Sequence, residues 1–469
     1  MNHQRTSFSV TEIIGTSFAL FLSLFLQVPT ASAIPSFARQ TGFPCKSCHY
    51  MPPELTPLGR AFKLNGYTMA GKPTVTSPGK GNTGALNILE SFPLSVLFDT
   101  SFTSLKSPQT VTQNGTTSPS QNGSFEFPQQ ASLFLAGAWA THVGSFVQVT
   151  YTSQGDHFTW DNSDIRYANA TKLFKKDLAF GITLNNNPTI EDLWNSTPAW
   201  GFPWVSSDWA PGPNAGAIVN GGLAQDVAGI GMYAMWDNHL YLAGTIYRSA
   251  HIGVALPNTG VDGNGNALTN IRGVAPYWRL AWQQNSKNNN LEVGTYGMHM
   301  KSTPGAITGL EDGYTDWAVD FQDDLTLTKL RGDVLSIRGA YTRENSSLVA
   351  TASGITGDTL IQHHLNTVQA NAEYHLGDKY SGTIGYFNVD GTPDPNIFVP
   401  GVPVTGNANG DPRSAGIIAN VSWWPVQNIG LTFQYTGYTR FNGAATNYDG
   451  AGRNANSNNT VYLLARFVF

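Results

Sequence analysis

About sixteen short segments in which polar and apolar residues alternate dominate this chain, and the connections between them are alternately short and long. The segments fall at 92–102, 131–142, 145–153, 163–171, 177–185, 225–236, 239–249, 275–284, 290–300, 314–327, 333–343, 364–375, 379–388, 414–424, 428–440 and 459–469. A period of two places successive side chains on opposite faces of a strand. In Asp316–Gln322 the aspartates, Ala318 and Gln322 share one face, while Trp317, Val319 and Phe321 take the other. Ser336, Arg338, Ala340 and Thr342 likewise oppose Leu335, Ile337 and Tyr341. A soluble sandwich would turn the apolar face inward; a membrane barrel turns it to lipid and the polar face to its lumen.

The connections favour the barrel. Short ones lie at His142–Gly144, Leu173–Lys176, Asp237–Asn238, Lys329–Gly332, Leu376–Asp378 and Pro425–Gln427. Long ones run over 103–129, 186–224, 250–274, 344–363, 389–413 and 441–458. Outer-membrane barrels pair short periplasmic turns with long outer loops, and closing the sheet satisfies edge groups that lipid cannot. Composition agrees, with 12% charged residues, 12% aromatic residues and 49 glycines. The last strand alternates to a terminal Phe469. The fold class expected is all-β: an outer-membrane antiparallel β-barrel of about sixteen strands.

The beginning of the chain is of another kind. Arg5, an apolar run from Ile13 to Leu26 and Ala31-Ser32-Ala33 form a secretory leader over 1–33. That leader directs the chain into or beyond a periplasm. Residues 34–85 form a second part and 86–469 the barrel. Net charge is −5, yet 34–85 carries six Lys and Arg against Glu54, so the barrel part carries −10. A basic segment and an acidic barrel are suited to dock. No basic stripe or nucleic-acid motif is found.

Both cysteines stand in Cys45-Lys46-Ser47-Cys48-His49. C-x-x-C-H attaches one covalent haem c: two thiols add to the vinyl groups and the histidine ligates the iron. The alternatives are a small redox disulfide and a chance C-x-x-C. A short helix should follow, capped by Thr56, begun by Pro57 and ended near Gly66, with Leu58, Ala61 and Phe62 on a face that covers the haem or packs as a small staple. Pro73–Gly84 reads as a linker. The helical haem segment is expected to plug the barrel.

A sixth ligand is sought among the methionines. Two residues reach about 7 Å, so Met51 is too close to His49 to reach the opposite face. Met69, just beyond the helix, is the candidate distal ligand, and a methionine there would raise the potential. Otherwise Met69 packs, the position is open, or a barrel residue ligates. Met298, His299 and Met300 read as barrel filling or as ligands. Asp156, His157, Asp161 and Asp164 read as an iron-gathering outer loop or a solvated one. Arg39 and Arg60 read as partners of haem propionates or as surface charge.

The run Ile34-Pro35-Ser36-Phe37-Ala38-Arg39-Gln40-Thr41-Gly42 leading into Cys45–His49 resembles the head of the outer-membrane monohaem cytochrome c–porin fusion family, best known as iron(II) oxidases. Leu58-Gly59-Arg60-Ala61-Phe62-Lys63 and the barrel agree in layout, and the loop from Asn186 to Pro203 is similar to that of the broader group. The resemblance implies that Cys45, Cys48 and His49 hold haem. It also implies that Fe(II) is the electron donor and a periplasmic cytochrome the acceptor. Three readings remain open here: an iron(II) oxidase, an electron conduit for another extracellular donor or acceptor, and a diffusion porin with a structural haem plug.

Overall fold

The structure, a computed structural model, describes residues 35–76, 92–113, 116–250, 270–303, 309–328, 330, 332–355, 357–400 and 402–469. The leader over 1–33 and the linker beyond Thr76 lie outside the described residues. Helices α1 (Ser36–Thr41), α2 (Cys45–Cys48) and α3 (Pro57–Leu64) come first. The strands follow as β1 (Leu94–Leu105), β2 (Thr110–Gln113), β3 (Thr116–Pro119), β4 (Ser124–Ala140), β5 (Val143–Thr152), β6 (His157–Leu173), β7 (Lys176–Asn185), β8 (Val227–Trp236) and β9 (Leu240–Ser249). Then come β10 (Ala275–Asn285), β11 (Asn289–Ser302), β12 (Asp312–Leu327), β13 (Asp333–Leu348), α4 (Val349–Ser353), β14 (Gln362–Leu376), β15 (Tyr380–Gly391), β16 (Ser414–Val426), β17 (Ile429–Arg440) and β18 (Thr460–Val468).

β2 and β3 form a small hairpin, and the other sixteen strands close into one barrel. Every pairing is antiparallel between neighbours, and β1 meets β18 in continuous register from Leu97↔Val468 to Leu105↔Thr460. Each of the sixteen expected segments coincides with one barrel strand. Several strands run further than expected toward the long-loop end: β4 starts at Ser124, β6 at His157, and β13 continues to Leu348. In β13 polar residues occupy both faces, as in Arg343-Glu344-Asn345-Ser346, in β4 Pro128 interrupts the run, and in β6 the alternation of Phe158 and Trp160 is put out of phase by a register shift against β5. The two-residue period is lost or shifted there although backbone pairing continues. The segment 154–162, expected as an outer loop, is mostly strand; only 153–156 turns between β5 and β6.

The faces are those of a membrane barrel. Trp317, Val319 and Phe321 are 48%, 45% and 39% exposed, whereas Asp316, Asp320 and Gln322 are buried in the lumen at 3%, 3% and 0%. Tyr167, Trp236, Trp282, Tyr380 and Trp423 are outward-facing near the short-turn end, an interfacial aromatic girdle. Among the described residues no helix is long and apolar enough to cross a membrane. The core lies inside the barrel, where Tyr247, Tyr277, Tyr296, Met298 and Met300 pack together and Trp194 packs with Leu64, Tyr233 and Tyr241.

Substituting Val319, at the middle of β12, with Arg should destabilise the barrel by roughly 2–4 kcal/mol. Urea unfolding in micelles measures this; a cost below about 1 kcal/mol would place the residue off the lipid face.

Candidate functional site: a cavity around Cys45, Cys48 and His49

Residues 35–76 lie against the inner wall at the end where the short turns are. Cys45 N donates to Gln427 Oε1 at 3.0 Å, in the β16–β17 turn, and Lys46 pairs with Asp378, in the β14–β15 turn. Ser36 N donates to Ser95 Oγ at 2.7 Å, and Ala138 N donates to Gln40 Oε1 at 2.9 Å. Val75 N and Thr76 N donate to Ala138 O and Trp139 O, so the start of the expected linker runs along β4.

α2 and α3 are stapled together. Thr56 caps α3 by accepting from Gly59 N, and its hydroxyl donates to Ser47 O at 2.7 Å. Thr56 N donates to Cys48 O at 3.0 Å. A side chain on Gly59 would collide with the Cys48 carbonyl, so this glycine sets how closely α3 approaches the cysteines. The expected inner face of α3 is corrected: Leu58 is 40% exposed and Ala61 is exposed. Phe62 faces inward as expected, joined by Gly59, Arg60, Lys63 and Leu64, because the barrel wall and the lumen loop receive the two cations.

A cavity of about 610 Å³ opens beside Cys45, Cys48 and His49. Phe37 and Phe62 line it from the helices, and Trp194, Trp200 and Trp204 line it from the β7–β8 connection. This connection, expected as an outer loop, folds back into the lumen, where residues 187–196 are buried. Charge draws it in. Arg279 on β10 pairs with Asp192 of the loop at 2.9 Å and with Glu292 and Asp320 of the wall at 3.0 and 2.9 Å. Further along, Ile218 N and Val219 N each donate at 2.7 Å, to Glu344 and Asp316.

The cysteines are unbridged and half-buried on one turn of α2. Burial pushes both thiols up, the reverse of an activated redox dithiol. Burial pushes the His49 imidazole down to about 4, with the Pro53 and Glu54 backbone acting the other way. The ring is therefore neutral at pH 7, as a metal ligand must be, and its Nδ1 has no hydrogen-bond partner. A large, mostly apolar cavity, two thiols three residues apart and a neutral imidazole on its wall fit a covalent haem.

The remaining candidates are placed as follows. Met69 is half-buried after α3 and is not among the residues that line the cavity. Met51 is buried in a separate small recess beside Trp204 and Trp424. Met298 and Met300 fill the core, while His299 faces outward against Thr315. Asp156 and His157 are exposed at a turn, Asp161 lines the cavity and accepts from Thr150 Oγ1 at 2.8 Å, and Asp164 is inside and bonded to Arg166, Tyr67 and Thr183; the four residues form no common site. Arg39 donates to the Phe92 and Leu94 carbonyls, and Arg60 pairs with the buried Asp324. The cations that line the cavity are Lys63 and Arg466, which sequence reading passed over. Lys63 lies one turn beyond Gly59, a spacing that would have marked it.

No protein-family model matches the chain, and neither does any curated protein. Among solved structures it is similar to the outer membrane channel DcaP of Acinetobacter baumannii, at 13% identity over 80% of this chain and 96% of that one, with a TM-score of 0.47. Pseudomonas putida OprB matches at 11% identity over 80% and 94%, with a TM-score of 0.47. An anion-selective porin from Comamonas acidovorans matches at 11% over 80% and 98%, with a TM-score of 0.44. Its lipid-facing exterior, closed sheet and alternating turns make this protein a porin-type barrel of the bacterial outer membrane.

Two predictions concern the cavity. If a haem is attached at Cys45 and Cys48, Met69→Ala should leave its absorption spectrum unchanged; loss of a sulfur-to-iron band would make Met69 the distal ligand. Lys63 donates to Ile190 O at 2.7 Å and Asp192 O at 2.5 Å. Burial first, then the neighbouring Arg166, push its ammonium down from 10.5 to about 7, against Asp164, Asp192 and Glu191. The unfolded chain thus holds one more proton than the folded one between about pH 7 and 10.5, so stability rises with pH across that window, by up to about 1.4 kcal/mol per unit. Lys63→Met should flatten this slope in denaturant titrations at several pH values; an unchanged slope would show that Lys63 keeps its ordinary pKa.

Proposed function

We propose that this chain is an outer-membrane cytochrome that takes one electron at a time from extracellular Fe(II) into a single covalent haem c and passes it to a periplasmic carrier, an iron(II):cytochrome oxidoreductase. The observation that carries this reading is the C-x-x-C-H pentapeptide on the wall of a haem-sized cavity inside a membrane barrel. When bound, the haem supplies the one-electron acceptor.

The protein's own residues set the conditions. Cys45 and Cys48 would fix the group covalently, and His49 would ligate its iron. Phe37, Phe62 and the three tryptophans exclude water, and an apolar surround raises the cost of the more highly charged oxidised state. Lys63 and Arg466, the cations on the cavity wall, would pair with the propionates; Arg466 is already held by Asp99 at 2.7 Å. One-electron transfer moves no proton and needs no nucleophile–base pair. At the short-turn end, taken as periplasmic, Lys46 and Phe43 are exposed beside Cys45 and suit an electron exit to a soluble partner.

A lumen crossed by the plug and by the inward β7–β8 loop speaks against the reading as an open diffusion porin. The test is stopped-flow absorbance of the oxidised, detergent-solubilised protein mixed with Fe²⁺ without oxygen. Rapid growth of the reduced haem bands is expected. Full reduction by dithionite with none by Fe²⁺ would overturn the iron reading and leave a conduit for another donor or acceptor.

A further inference from the structure

We propose that Glu54, Glu373 and His375 bind one divalent transition-metal cation at the seam between the plug and the barrel wall. Glu54 belongs to the turn that follows His49; Glu373 and His375 are two apart on β14 and so share its lumen face. One ligand atom from each residue lies within 4.8 Å of the others. All three residues are buried, Glu54 at 0%, Glu373 at 1% and His375 at 2%.

Glu373 Oε2 accepts from Arg338 Nη1 at 3.3 Å, but other ligand atoms of the cluster have no such partner. Both Glu54 carboxylate oxygens, Glu373 Oε1 and both ring nitrogens of His375 are buried without a hydrogen-bond partner. His375 Nε2 is 3.4 Å from Glu54 Oε2, and Nδ1 is 3.9 Å from Glu373 Oε1. The 3.4 Å between Nε2 and Glu54 Oε2 suits two ligands that share an ion at about 2.1 Å from each. Orphaned buried polar atoms are costly, and a cation satisfies several at once. Two carboxylates and an imidazole with no thiolate select the Mn²⁺, Fe²⁺ and Zn²⁺ class. Arg338 supports the ligands from behind: it contacts Glu54 and lies 3.3 Å from Glu373. Orienting partners of this kind are usual around ligating carboxylates. The neighbouring Asp324 is already engaged by Arg60.

The seam adjoins the haem motif. Tyr50, next to His49, stacks on His375 with ring centroids 5.3 Å apart, and Tyr50 N donates to Glu54 O at 3.1 Å. His49 itself bridges to Leu55. On the proposed function, and resting on it, a ferrous ion in this site is the electron donor. Fe²⁺ becomes Fe³⁺, ferric haem becomes ferrous haem, and no bond or proton changes hands.

The test uses the full-length haem-loaded barrel in detergent, stripped by chelator and equilibrated with Mn²⁺, whose free ion is counted by electron paramagnetic resonance. One Mn²⁺ per barrel is expected. His375→Ala and Glu373→Gln should each weaken binding roughly tenfold or more. His299→Ala, on the outer face, should not. Haem absorbance and heat-modifiable mobility report folding, so either ligand variant suffices if the other misfolds. Absence of saturable Mn²⁺ binding, or equal binding in the folded variants, would overturn the site and leave an ion cluster closed by a proton. The donor role is judged separately by stopped flow. Mn²⁺ binding without haem reduction by Fe²⁺ keeps the site and removes the iron-oxidising reading. Equal rates of Fe²⁺ reduction in wild type and His375→Ala remove the donor role alone.

Discussion

Lipid offers no hydrogen bonds to a backbone, so the sheet must close, and most of the architecture follows from that closure. β1 pairs with β18, leaving no edge to the bilayer. Alternation then sends one side chain in two into the lumen. Since lipid takes the apolar residues, the lumen receives Arg166, Arg279, Arg338, Asp320, Asp324 and Glu373, all nearly inaccessible to solvent. A charge in such a place needs a partner, and breaking one of these pairs would strand the other member at a cost of about 3–5 kcal/mol.

That need organises everything inside the barrel. Arg279 gathers three carboxylates from two wall strands and the β7–β8 loop. Arg166 holds Asp164 and donates to the carbonyls of Glu191 and Lys63, which joins wall, loop and plug at one side chain. The loop carries Trp194, Trp200 and Trp204 with it, and these line the cavity beside Cys45 and Cys48, held by the loop's ion pairs together with ring packing such as Trp194 on Tyr241.

The barrel was legible in the sequence because its signal is local: a period of two and connections of alternating length need no knowledge of distant contacts. The C-x-x-C-H pentapeptide is local too, as are the Thr56 cap and Pro57. What escaped sequence reading depends on pairing over long separations. Nothing in residues 186–203 says that they turn inward, since that follows from Arg279 waiting in the lumen nearly ninety residues later. Arg60 reads as an available cation until β12 brings Asp324 to it. Glu54 lies more than three hundred residues from Glu373 and His375, and only the barrel's register unites them. The helix face failed for a related reason: an amphipathic reading assigns the inside to Leu58 and Ala61, but this interior is polar, and Arg60 and Lys63 turn toward it.

The charge imbalance between the basic segment and the acidic barrel also acquires a definite meaning. A net attraction alone would give loose docking that salt screens. Here the attraction is resolved into separate pairs around the plug: Arg60 with Asp324, Glu54 with Arg338, Lys46 with Asp378. The signs run in both directions, so a basic plug also contributes an anion to a wall arginine. The first two pairs are buried, where screening is weak, and the third is at the exposed rim. A segment fixed from several sides with mixed polarity is held in one orientation. One orientation also fixes the bearing of Cys45, Cys48 and His49 toward the short-turn end, where Cys45 N meets Gln427.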